Sequence, residues 1–78
     1  MKFTAYFEAV GQRPDRAIIR DERIRQVISN PVREQFQADG RIRRWALIFE
    51  MGNRFLRVVL LPDGETIPNA FFDRRFTP

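Results

Sequence analysis

The chain has 78 residues, room for one hydrophobic core and not for two. It carries no cysteine and no histidine, which excludes a disulfide framework, a Cys/His zinc site, thiol chemistry and histidine as a general base. Fourteen cations, all arginine except Lys2, oppose ten acids for a net charge of +4, and a hydrophobic share of 44% suits a packed core. No apolar run approaches the ~18 residues of a membrane span. Glu8 arrives too early for the apolar stretch of a signal peptide. The expectation is a single soluble, cytoplasmic domain over residues 1–78, with no membrane partner.

The first 30 residues read as two helices. Phe3, Phe7 and Val10 are spaced to share one helical face, Gly11 stops that helix, and Arg13-Pro14-Asp15 forms a turn. In the second helix Ile24, Val27 and Ile28 make an apolar stripe, with Arg20, Asp21, Glu22, Arg23 and Arg25 on the wet side. Asn30-Pro31 ends it, because the residue before proline is pushed out of the α region. The basic run Arg16, Arg20, Arg23, Arg25 is interrupted by Asp21 and Glu22 and reads as a solvated face. Helices of about ten residues are marginal alone and need a surface to pack on.

The rest of the chain supplies it. Asp39-Gly40, Gly52-Asn53 and Asp63-Gly64 are dipeptides that tolerate positive φ, and they divide Val32–Ala38, Arg41–Met51, Arg54–Leu61 and Glu65–Phe72 into four strands. The predicted fold is α+β, two N-terminal helices packed on one face of a four-stranded antiparallel β-meander. If each dipeptide is a two-residue loop, Phe49 meets Leu56, Leu47 meets Val58 and Trp45 meets Leu60, an apolar face for the helices to cover. The same rule sets Val32 against Leu47, Phe36 against Arg43, Leu60 against Ile67 and Leu56 against Phe71. The opposite face then holds Glu50, Phe55, Ile48, Arg57, Ala46, Val59, Arg44 and Leu61, joined by Arg33, Gln35 and Phe72.

That second face is half cationic and half apolar. Arg33, Arg44 and Arg57 are placed to bind phosphate bidentately, with Phe55 and Phe72 to stack on unpaired bases, a combination suited to single-stranded RNA. The same residues also fit an ordinary solvated sheet face or a protein contact. Glu50 near Arg57 and Arg44 is either a cross-strand ion pair or a proton-transfer group beside phosphate clamps. In Asn69–Phe76, Asp73 with Arg74 and Arg75 is either an anion site at the sheet's edge or an ion pair, with Phe71 and Phe76 pinning the tail. No metal constellation, phosphate loop or nucleophile elbow occurs, and no cofactor is expected.

Asp39-Gly40-Arg41-Ile42-Arg43-Arg44-Trp45, followed by Arg54-Phe55-Leu56-Arg57-Val58-Val59, Asp63-Gly64-Glu65-Thr66, Asn69-Ala70-Phe71 and Asp73-Arg74, resembles a pattern in small prokaryotic proteins. In those the blocks run DGR-R-W, YLRVV, DGET, HNAF and DR, and they are in turn similar to the BrnT/RelE-like group of small toxins. The resemblance spans roughly residues 3–76. This chain has Pro68 where the pattern has histidine. The resemblance implies a toxin-like RNA-interacting domain, an endoribonuclease of a toxin–antitoxin module, with RNA, the ribosome or an antitoxin-like protein as partner. In that role Arg33, Arg44, Arg57, Arg74, Phe55 and Phe72 hold RNA, and Glu50 and Asp73 move protons. The alternative is a non-catalytic module that uses the same face for a protein partner or a homodimer.

Overall fold

The structure, a computed structural model, describes residues 1–11 and 13–78, and of Asp15 and Arg16 the backbone. The chain runs β1 (Lys2–Phe3), α1 (Ala5–Val10), α2 (Pro14–Ala17), α3 (Asp21–Ser29), β2 (Arg33–Phe36), β3 (Ile42–Ile48), a 3-10 turn (Phe49–Met51), β4 (Arg54–Leu60), β5 (Thr66–Ile67) and β6 (Asn69–Phe72). Strands β2, β3, β4 and β6 form an antiparallel sheet in that order, and β1 pairs with β5 in a separate parallel ladder. The α+β class and the four-stranded antiparallel order are those expected. The start of the chain differs. Phe3 is in a strand rather than on a helix face, and the expected turn at Arg13-Pro14-Asp15 leads into a short helix. The Arg16 side chain, expected on a solvated face, lies outside the described residues.

Local chemistry sets the helix limits. Thr4, with extended backbone, accepts a hydrogen bond on Oγ1 from the Phe7 N–H at 3.1 Å, which satisfies a donor that the first helical turn leaves free. In α3, Asp21 and Glu22 sit in the first turn, where negative charge is favoured, and Asn30 ends the helix before Pro31. Ile24 and Val27 are buried in one cluster with Ile42, Ala46, Ile48, Leu56, Val58, Leu60, Ile67 and Ala70. Phe3, Phe7, Ile28 and Phe72 pack against its margin. Side chains thus alternate so that the even-numbered positions of β3, β4 and β6 face α3.

The turns form where the dipeptides predict, but with longer loops. Gln37 N–H donates to Arg41 O and Gly40 N–H to Gln37 O, a three-residue loop closed by Gly40 at φ 89°. A side chain at Gly40 would also be tight, since a Cβ there would lie 3.1 Å from the Pro62 ring. In the last hairpin Gly64 N–H donates to Leu61 O. Asp63 accepts from the Thr66 hydroxyl and from the Glu65 and Thr66 N–H groups, which hold its pKa down to about 2. Between β3 and β4, Phe49–Met51 coil into a 3-10 turn, and Gly52 and Asn53 are both left-handed.

The loops therefore change the register. Leu47 meets Phe55 rather than Val58, Trp45 meets Arg57 rather than Leu60, and Phe49 leaves the sheet for the turn. Phe36 meets Ile42, not Arg43; Val32, expected opposite Leu47, lies before β2, whose first residue Arg33 meets Trp45; and Leu56 meets Phe72, not Phe71. A displacement by an odd number of residues turns a strand over. The expected apolar face is thus corrected. Leu56, Val58 and Leu60 are buried beneath α3, but Trp45 and Leu47 are on the other side, and Phe49 is 73% exposed.

Candidate nucleic-acid interface

The sheet face away from α3 carries Arg33 and Gln35 from β2, Arg43, Trp45 and Leu47 from β3, Phe55, Arg57 and Val59 from β4, and Phe71 from β6. Beyond β6 the chain turns back across this face. Asp73 makes the turn: its N–H donates to Phe55 O at 2.9 Å, and its Oδ1 accepts from the Arg75 N–H at 3.1 Å. Its other oxygen accepts from Trp45 Nε1 at 3.0 Å and lies 3.8 Å from Arg57 Nη1. The tail then sets Phe76 flat on Trp45, centroids 4.8 Å apart and planes 15° apart, and edge-on to Phe55 at 4.9 Å. Trp45 is consequently 5% exposed although no helix covers it.

Beside this aromatic stack lies a groove of about 590 Å³ whose lining includes Arg33, Arg43, Arg57, Arg75 and Asp73. A groove of similar volume, about 620 Å³, lies between Phe3, Phe7, Ile19 and Asp21 at the N-terminal end. Chemistry separates the two, because only the first gathers guanidinium groups. Arg57 lies at the floor, stacked over Phe71 at 4.2 Å, and its Nε is buried with no hydrogen-bond partner. Burial, then repulsion from Arg43, pulls the Arg57 pKa below its ordinary value, and Asp73 opposes the shift. Arg43 is held by Gln37, whose amide oxygen, turned toward it, accepts from Nε at 3.1 Å and Nη2 at 2.6 Å. The Asp73 carboxyl is held below the usual carboxylate range, first by the Trp45 N–H against the opposing effect of burial, then by the Arg75 N–H, Arg57 and the Phe76 N–H.

Elsewhere four cations have acidic neighbours. Arg23 pairs with Glu50 at 3.5 Å, Arg41 with Asp39 at 3.6 Å, Arg44 with Glu34 at 2.5 Å and Lys2 with Glu65 at 3.9 Å. In the groove Arg57 pairs with Asp73, and Glu34, which also lines it, pairs with Arg44; among the described residues Arg33, Arg43 and Arg75 have no carboxylate within 4.0 Å.

Of the residues expected to act together, Arg33, Arg57, Phe55 and Asp73 do meet on this face. Arg44 does not: it lies on the α3 side, donating to Glu34 and to the Ile28 carbonyl. Phe72 is on that side too, packed at the core margin with Arg54 4.1 Å above its ring. Arg74 is exposed in the turn after β6. Glu50 sits in the 3-10 turn against Arg23 of α3, so Glu50 and Asp73 lie on opposite sides of the sheet. The groove instead recruits Arg43, Trp45, Arg75 and Phe76. The first two alternate with the expected Arg44 and were hidden by the reversed face of β3. Phe76 was expected to pin the tail, and it does so on the open face rather than the core.

Among the described residues no group of His, Cys, Asp or Glu is placed to hold a metal, and no helix is long and apolar enough to cross a membrane. No protein-family model, no curated protein and no solved structure matches the chain.

Proposed function

We propose that the open sheet face binds single-stranded RNA by its phosphates, in the manner of a toxin-like RNA-interacting domain. The observation that carries this reading is Arg57. A guanidinium desolvated at the floor of a groove, with a buried Nε left unbonded, crowded by Arg43 and offset by one carboxylate, is poised to gain from an entering anion. Arg33, Arg43 and Arg75 around it supply the further positive charge that a phosphate chain requires. The toxin resemblance, carried by the motifs quoted above, points to the same ligand.

The endoribonuclease form of the reading asks Glu50 and Asp73 to serve one reaction centre. Their positions on opposite sides of the sheet favour binding over cleavage, as does a carboxylate at Asp73 whose oxygens already hold Trp45 and Arg75. The rival reading, a protein or homodimer contact, is favoured by one observation: Val32 and Phe36 are 57% and 68% exposed on or beside the outer strand β2.

Gel-shift titration with single-stranded RNA at low and moderate salt tests the proposal. Binding should weaken steeply with salt, and Arg57→Gln and Arg43→Gln should each flatten the log–log slope by about 0.7 as one phosphate contact is lost. The loss should be similar for all RNA sequences, because phosphate contacts carry no sequence information. No shift even at low salt retires RNA as the ligand and leaves the β2 contact as the better account.

A further inference from the structure

The tail residue Phe76 occupies a place that a flat ring of another molecule would fit. Its ring lies almost parallel to the indole of Trp45, meets Phe55 by an edge, and has the Arg33 guanidinium 5.4 Å from its centroid. A ring between an aromatic face and an arginine is the environment in which proteins hold unpaired nucleobases. The Arg57 groove opens alongside, with Trp45 and Phe76 themselves in its lining, within reach of a phosphate joined to such a base.

The floor and the cover of this place are held differently. The indole is fixed from below by its Nε1–H bond to Asp73 at 3.0 Å, and its strand pairs on both sides, Arg33 in β2 and Arg57 in β4. None of these contacts involves the Phe76 ring. The cover hangs on the turn after β6, through Arg75 N–H to Asp73 Oδ1 at 3.1 Å, and beyond that on Phe76 N–H to Asp73 O and Arg33 Nη1 to Thr77 O, each at 3.4 Å and near the long limit for hydrogen bonds. Removing the cover therefore leaves the floor in position.

We propose that Trp45, Phe55 and Arg33 form a nucleobase slot that Phe76 fills in the free protein and yields to an RNA base. This rests on the RNA reading above and deepens it, since it assigns one base, as well as phosphates, to the open face. Phe76 is then a competitor. A base that enters gains the stack on Trp45 but must first displace a ring that already has it, so the free protein binds weakly to short ligands. A longer strand, anchored by its phosphates at Arg43 and Arg57, delivers a base at high local concentration and completes the exchange.

A nucleotide and its base-free sugar phosphate separate base from phosphate recognition. Adenosine 5′-monophosphate and ribose 5-phosphate carry the same phosphate, and only the first has a ring to stack. Trp45 is the sole tryptophan, so its emission reports the slot alone. With Phe76→Ala, adenosine monophosphate should bind about ten- to a hundredfold more tightly than ribose 5-phosphate and quench Trp45, that being what one base stacked on an aromatic ring contributes. In the unaltered protein the two should bind alike, and oligo(A) should quench Trp45 on saturation. Should Phe76→Ala fail to fold, the oligo(A) quench and its loss of affinity in Trp45→Leu decide the matter. Oligo(A) that shifts in a gel at low salt with Trp45 emission unmoved overturns the slot and leaves phosphate binding intact. Absence of any shift at low salt overturns the RNA reading and the slot with it.

Discussion

On one side of the sheet Leu56, Val58 and Leu60 are buried against Ile24 and Val27 of α3; on the other, Trp45 is buried against the single ring of Phe76. The first cover is a continuous apolar cluster, and nothing in it is polar apart from its rim, where Arg44 bonds Glu34 and the Ile28 carbonyl. The second is a thin aromatic layer laid between polar anchors, with Asp73 joining Trp45, Arg57 and the tail. Burial by the first route is driven by apolar area and resists any local opening. Burial by the second needs little area, and a few bonds hold it in place. A domain this small thus concentrates its apolar cluster on one face and covers the other with a thin aromatic layer.

The comparison breaks if the two faces respond alike to substitution. Leu56→Ala, which empties a fully buried site, should cost about 2–5 kcal/mol in urea unfolding, a large part of the roughly 5–15 kcal/mol that holds a small domain together. Trp45→Phe keeps a ring under Phe76 but removes the N–H that Asp73 accepts. With Arg57 and the Arg75 N–H still on that carboxylate, the loss should be roughly 1–2 kcal/mol, followed by far-ultraviolet circular dichroism because the tryptophan is gone. A cost for Trp45→Phe equal to that of Leu56→Ala would place the main core on the wrong side of the sheet.

Acid sharpens the contrast with the smallest effect. Asp73 has its folded pKa depressed from 3.8, so its contribution to stability is complete above that value and fades as pH falls through the lower folded one. Trp45 emission should change in that acid window, as its partner is neutralised, while the helical circular dichroism from α3 persists. Simultaneous loss of both signals would mean that the tail and the core open as one unit.

The helix α3 and the three turns were legible because each depends on a local rule: Ile24, Val27 and Ile28 at helical spacing, proline after Asn30, and residues that accept positive φ. Loop length was not legible. Asp-Gly serves a two-residue primed turn and equally a three-residue loop with a left-handed glycine, and the two differ by an odd step in register. Nor did β3 correct the error, since Trp45-Ala46-Leu47-Ile48-Phe49 is apolar without a break and has no alternation to say which side is inward. Two errors of this kind cancelled for β2, so Arg33 and Gln35 were placed on the open face; one remained in β3 and in β6, and Arg44 and Phe72 were misplaced with their strands. The candidate site was found through β4, where Phe55 and Arg57 alternate with the buried Leu56 and Val58.

The parallel ladder of β1 and β5 ties Lys2 to Thr66 and Phe3 to Ile67. Lys2 and Phe3 thus wait for partners that are synthesised much later than they are. The hairpins β2–β3 and β3–β4 close short stretches of chain and form early at small entropic cost. Lys2 and Phe3 have no strand to join until β5 has left the ribosome, and until then Phe3 and Phe7, stacked together at 5.3 Å in the finished fold, lack the buried Ile67 that the ladder brings beside them. The topology thus predicts folding from the middle of the chain outward, with late hydrogen-exchange protection of the β1–β5 ladder as the measurement that checks it.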